Sequence, residues 1–286
     1  METQLDYDRA FGRSAGLISE TQQRRLRDSA VAIAGCGGDG GLVAERLARA
    51  GVGELRLADP ECFEIENVNR QFAADVSAMG RNKAEVVAAA VRGINPDIRL
   101  RVYPEGVSAA NVAEFVGGAS VAVDEIEYSL PTISLMLAAE ARRVGIPTII
   151  GANVAFGANV FAIHPRGRTL EEHYRTSGGV LGDGEKAALA QARALCPRVP
   201  GYVDWHDLQT VMLGQRPVPS VSQAVAAVAA VVSQEVVGHI CGLSEMVWLP
   251  RYIELDLLRR AMRVRRATAA GFYMSILSCR LKSIFR

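Results

Sequence analysis

At 286 residues, 49% apolar and 22% charged, the chain is long enough to bury a sizeable core and reads as one α/β domain with a C-terminal extension. A formal net charge of +1 excludes bulk electrostatic attraction to nucleic acid or to an anionic membrane as an organising principle. The five cysteines, Cys36, Cys62, Cys196, Cys241 and Cys279, lack Cys-x-x-Cys spacing, so no zinc is expected, and with no signal peptide evident a reducing cytoplasm is the default setting.

Along the chain, residues 31–34 (Val-Ala-Ile-Ala) have the short apolar run of a strand buried on both faces. Gly35, Gly37, Gly38, Gly40 and Gly41 follow, glycines that let a backbone turn sharply and approach a phosphate. A helix over 42–50 then offers its amino-terminal N–H groups and positive dipole end to an anion. Residues 54–59 alternate as a returning strand that ends in Asp59, a carboxylate able to accept from ribose hydroxyls.

Such a loop alone suits NAD, FAD, S-adenosylmethionine or ATP equally. The additions that separate these are Asn69-Arg70-Gln71 and Lys83, the latter leading into a helix that reaches Ile94. A fixed guanidinium and ammonium beyond the pyrophosphate loop answer the charge that builds on a triphosphate.

The alternation of strand-like and helix-like segments up to about residue 150 predicts parallel strands with crossover helices. Residues 145–163 carry no charge, but Pro147, Asn153, Asn159 and three glycines divide them into two strands, about 145–151 and 158–164, rather than a membrane span. The histidines at 164, 173, 206 and 239 are scattered and suggest neither a metal cluster nor a triad. Residues 166–219 hold most of the Gly and Pro signals, including Gly178-Gly179 and Gly182-Asp183-Gly184, and are expected to wall a substrate groove. Residues 220–238 form an alanine- and valine-rich helix for the core. From 259 to 286 there are eight basic residues and no acidic one, with interleaved apolar side chains. This tail reads as a C-terminal helix completing the core or a dimer with its arginines in water, the other reading being contact with a membrane surface.

Taken in order, these motifs resemble the ubiquitin-activating enzyme superfamily and its bacterial relatives, the ThiF/MoeB/HesA-type adenylyltransferases, over about residues 7–256. The resemblance implies a Rossmann-like doubly wound sheet, with a parallel nucleotide-binding half at about 28–150. Antiparallel strands of a substrate and crossover region, about 151–258, continue it, and the tail lies outside.

The resemblance also implies roles. Gly35, Gly37, Gly38 and Gly40 hold the nucleotide, Asp59 binds ribose, and Asn69, Arg70 and Lys83 contact phosphates. Asp124 matches the first acid of the family's Asp-x-x-Asp, and Glu127 stands where the second, magnesium-associated acid belongs; glutamate supplies the same oxygen chemistry one methylene further out. Arg13, with Arg9 as second choice, would reach the nucleotide of a partner subunit in a homodimer.

The implied reaction uses ATP and Mg²⁺ to turn a carboxylate into an acyl adenylate, the carboxylate being that of a small ubiquitin-like or sulfur-carrier protein or a ribosomal peptide. Cys196 falls where thioester-forming relatives hold a nucleophilic cysteine, but a buried thiol is the preferred reading there. The alternatives are an NAD-binding Rossmann oxidoreductase, which leaves Arg70 and Lys83 idle, and a non-catalytic scaffold half of an activating enzyme, which Glu127 and the absent zinc cysteines favour.

Overall fold

The structure is a computed structural model that describes residues 5–128, 130–176, 193–212 and 215–284. Strands β1 (Ala30–Ala34), β2 (Glu54–Ala58), β3 (Arg99–Tyr103), β4 (Val121–Asp124), β5 (Thr148–Val154), β6 (Gly157–Ile163), β7 (Arg251–Asp256) and β8 (Ala261–Arg266) form one sheet in the order β3-β2-β1-β4-β5-β6-β7-β8. The first five run parallel, and β6, β7 and β8 continue antiparallel. β1 pairs with β2 on one side and β4 on the other, so the chain reverses its winding there and leaves a crevice at the carboxyl ends of those strands.

Period-two alternation sorts the layers. Val31 and Ile33 of β1 face one core with α3 (Gly38–Ala50) and α4 (Lys83–Ile94), while Ala32 and Ala34 face the other with α5 (Val112–Val116) and α6 (Pro131–Val144). Ahead of β1 stand α1 (Tyr7–Phe11) and α2 (Glu20–Asp28); after β6 come α7 (Leu170–Thr176), α8 (Trp205–Met212), α9 (Ser222–Cys241) and α10 (Ala269–Ile284). α9 has the length and hydropathy of a membrane span. Its apolar side chains are used inside the fold, with Val225, Val228 and Val232 fully buried against α3, β5 and β6.

Three expectations shift. The helix after the glycine loop begins at Gly38, not 42, so Gly38, Gly40 and Gly41 lie in its first turn. β5 starts at Thr148 because Gly145, at φ +82, closes α6 by donating to Ala141 and Arg142 carbonyls. The helical tail is α10, but ahead of it residues 261–266 are β8, held in register against β7. Residues 177–192, with Gly178-Gly179 and Gly182-Asp183-Gly184, lie outside the described residues.

The crevice is braced from its far side by Arg56. This β2 side chain is 3% exposed, pairs with Glu54 Oε1 at 2.8 Å, and donates to the carbonyls of Glu114, Phe115 and Gly117 at the end of α5. Removing it takes the nearest partner from the buried Glu54, which keeps only the more exposed Arg99 and Arg101 at 3.3 Å, and withdraws the guanidinium from three carbonyls. Arg56→Ala should therefore cost about 3–5 kcal/mol, read from the denaturant midpoint at constant slope.

Candidate active site at the glycine loop

β1 ends at Ala34 and the backbone turns at Gly35, φ +92. A Cβ at Gly35 would lie 2.1 Å from the Glu125 carbonyl oxygen, and one at Gly40 would lie 1.9 Å from the Gly35 carbonyl oxygen. Only glycine lets α3 start this close to β1 and β4. Gly37 occupies the N-cap without a side-chain cap, so the first-turn N–H groups of α3 remain available to an anion. Gln71 sits 3.5 Å from where a Gly37 Cβ would be, and Val225 of α9 closes over Gly38.

Asp59, at the end of β2, is 6% exposed and accepts from the Cys36 N–H at 2.7 Å and the Glu61 N–H at 2.9 Å. Burial pushes its carboxyl above the usual range against those two bonds and Lys83. Each oxygen keeps a second lone pair, which is what ribose hydroxyls need.

Asn69 and Arg70 lie beside the loop. Asn69 Nδ2 donates to the Ser220 carbonyl just before α9, while Arg70 is partly buried and donates to Asn69 Oδ1 and the Glu66 carbonyl. Lys83 is buried rather than left open to the crevice. It is 5% exposed, and its Nζ lies 2.5 Å from Glu61 Oε2. The cause is local: the Phe63 N–H bonds the Arg81 carbonyl and the Lys83 N–H bonds the Glu61 carbonyl, zipping 61–63 to 80–83 and drawing acid and ammonium together.

Glu127 has an exposed side chain; desolvation at its carboxyl and the charge of Glu61 raise its pKa, while Lys83 and Arg70 oppose the shift. The carboxyl ends of β1, β2 and β4 thus bring together the glycine loop, Asp59, Asn69, Arg70, Lys83, Asp124 and Glu127.

The sequence reading named Asp124 but missed the two acids that join it behind the loop, Asp39 and Glu125. Asp124, 2% exposed, accepts from the Ile126 N–H and Ser134 hydroxyl through Oδ1, while its buried Oδ2 has no partner among the described residues; burial raises its pKa to about 6. Asp39 Oδ2 accepts from Asn153 Nδ2 of β5 at 2.9 Å, its Oδ1 is likewise unpartnered, and burial raises its pKa to about 7. Glu125 is pushed up by burial and by the charges of Asp39 and Asp124. The available signals were an acid inside a glycine motif and a second acid adjoining Asp124.

Arg13 is exposed and distant from its own loop. Its neighbour Ser14 bonds Gln23, and Gln23 and Tyr7 bond the carbonyls of Ala50 and Gly51, at the carboxyl end of α3. That 13-residue helix is about 20 Å long, so Arg13 is anchored near its far end. Cys196 packs with Val199 and Phe272, and burial pushes its thiol up to about 12, the opposite of an activated nucleophile. His173 is a core residue, bonded to the Ala194 carbonyl and pushed down to about 4 by burial.

A doubly wound sheet with an uncapped, glycine-started helix at its switch point is a nucleotide-binding α/β fold. The chain belongs to the ThiF family, whose signature matches residues 11–271. It is 31% identical over 163 residues to tRNA threonylcarbamoyladenosine dehydratase of Escherichia coli, covering 57% of this chain and 61% of that one. It is 37% identical over 145 residues to the SAMP-activating enzyme E1 of Haloferax volcanii, with coverage of 51% and 53%. The chain thus spans roughly half to three-fifths of these relatives' lengths. In three dimensions it is similar to the crystal structure of selenomethionine PaaA at TM-score 0.70 and 21% identity, covering 93% of this chain and 84% of that one, which shows a shared fold.

The raised carboxyl values set a pH dependence. A carboxyl whose folded pKa is raised favours the folded state fully below its unfolded value near 3.8, and that contribution is lost as pH climbs through the folded value. Asp39→Asn keeps an acceptor for Asn153 but removes the titration. The variant should gain stability relative to the parent as pH goes from 5 to 8, measured by denaturant midpoints at both pH values.

Proposed function

We propose that the chain is an ATP-dependent adenylyltransferase that activates a carboxylate as an acyl adenylate. The observation carrying this reading is the convergence of Arg70 and Lys83 with the α3 amino terminus at one switch point: two cations beyond a phosphate loop. A carboxylate oxygen attacks the α-phosphorus, the bond to the pyrophosphate oxygen breaks, and pyrophosphate leaves with the electron pair. The nucleophile is already ionised, so no general base is needed.

The chain's own work is positioning and charge stabilisation. The first-turn amides of α3 receive the phosphates, Asp59 holds ribose, and Arg70 with Lys83 stabilises the departing pyrophosphate, Lys83 exchanging its Glu61 contact for the phosphate. Asp124, through its unpartnered Oδ2, and Glu127 offer the hard oxygen donors suited to Mg²⁺, which when bound neutralises phosphate charge. The naming of the Haloferax relative as an activating enzyme supports a carboxylate carried by a small protein or peptide. The half-buried Cys196, its thiol pushed up rather than activated, supports direct transfer of the adenylate to an external nucleophile.

ATP–pyrophosphate exchange tests the reading. Arg70→Ala and Lys83→Ala should each slow exchange by about 10²–10³-fold, as loss of one transition-state donor does elsewhere. Near-parental exchange in either folded variant would remove that residue from the phosphate site.

The position of Arg13 at the far end of α3 supports a homodimer in which it completes the neighbouring site. Mixing Arg13→Ala subunits with Lys83→Ala subunits should restore part of the lost activity, because one hybrid site is intact. A verified heterodimer without recovery would place Arg13 outside catalysis.

A further inference from the structure

β8 is the last strand of the sheet, paired on one side only among the described residues. Its register is Arg251↔Arg266 through Asp256↔Ala261, and the Ala267 N–H donates to the Pro250 carbonyl in the next pair. In an antiparallel ladder bonded and non-bonded pairs alternate, so 261, 263 and 265 direct their backbone groups to β7. Met262, Val264 and Arg266 therefore present their N–H and C=O groups outward, a ready template for another strand. Their side chains share a face on which Met262 is 62% and Val264 47% exposed.

The charge on this edge is one-sided. Arg266 lies directly opposite Arg251, both exposed, and neither they nor Arg263 makes an ion pair among the described residues, whereas Arg265 is paired with Glu254. Like charges set opposite each other destabilise a ladder until an anion joins them. A second copy of β8 would only add arginines.

The geometry points to β8 as the docking edge for an extended acidic segment of the polypeptide substrate, added as a ninth strand. This rests on the proposed carboxylate activation and names how its substrate is held. Polarity fits: β8 starts at the sheet edge that carries the glycine loop, so a segment antiparallel to β8 runs toward that edge and delivers its carboxyl end there. From a ninth strand to β1 is six strand spacings, about 29 Å, which an extended tail of about nine residues spans.

The probe is a labelled synthetic peptide of four Thr-Glu repeats, compared with four Thr-Lys repeats by fluorescence anisotropy on the full chain. The acidic peptide should bind about tenfold tighter, and the preference should fade at high salt. Val264→Pro removes an outward N–H without breaking the β7 ladder, and should weaken acidic-peptide binding about tenfold at an unchanged melting temperature. The double variant Arg263→Glu/Arg266→Glu should reverse the peptide preference. Equal affinity for both peptides overturns the assignment. So does a folded Val264→Pro or charge-reversal variant that binds like the parent. Acidic-peptide binding without ATP–pyrophosphate exchange would instead sink the adenylation reading and leave the strand docking standing.

Discussion

The absence of two β-carbons, at Gly35 and Gly40, lets β1, β4 and α3 meet closely enough for the rest of the site to exist. Any side chain at either position would enter a backbone carbonyl, of Glu125 in one case and Gly35 in the other. Because the contact is backbone on backbone, no rotamer change relieves it. It pins the amino end of α3 over the switch point, leaves its first-turn amides uncapped, and creates the shelf against which Gln71 and Val225 rest. From that shelf Asn69 reaches the start of α9 and Arg70 is held beside the loop.

The electrostatics around this contact are not those of a simple basic phosphate pocket. Arg70 and Lys83 stand among Asp39, Asp59, Glu61, Asp124, Glu125 and Glu127, and burial drives several of these carboxyls toward their neutral forms. Desolvation penalises the charged carboxylate more than the few available hydrogen bonds reward it. Protons thus do part of the work of cations in the resting site. On the proposed reading, a phosphate-rich ligand that took Lys83 from Glu61 would change that balance and link nucleotide binding to the protonation of the cluster.

The same sheet has two differently built ends. The parallel half is covered on both faces and ends at β3, while the antiparallel half runs out to an edge rich in arginine and lightly covered. Both the carboxyl end of β5 and the turn between β7 and β8 fall on the site's side of the sheet. One continuous rim therefore connects the glycine loop to β8.

Much of this was legible in the amino-acid sequence because it depends on local chemistry. The apolar run of β1, the glycine spacing, Asp59, the Asn69-Arg70 pair and Lys83 are short-range patterns, and together they define the ThiF family and the location of the site. Other features arise only when distant segments meet. Lys83 is buried because 61–63 zips to 80–83, and Asp39 shares its surroundings with Glu125 and Asn153 because β4 and β5 close behind α3. The segment carrying Arg13 is anchored far from its own loop by the bonds of Tyr7 and Gln23 to Gly51 and Ala50, and the basic tail begins as a strand because β7 offers it a ladder. Sequence determined which groups are candidates for the chemistry; burial and charge proximity, which need the folded chain, decided their protonation, their partners and which edge of the sheet stays open.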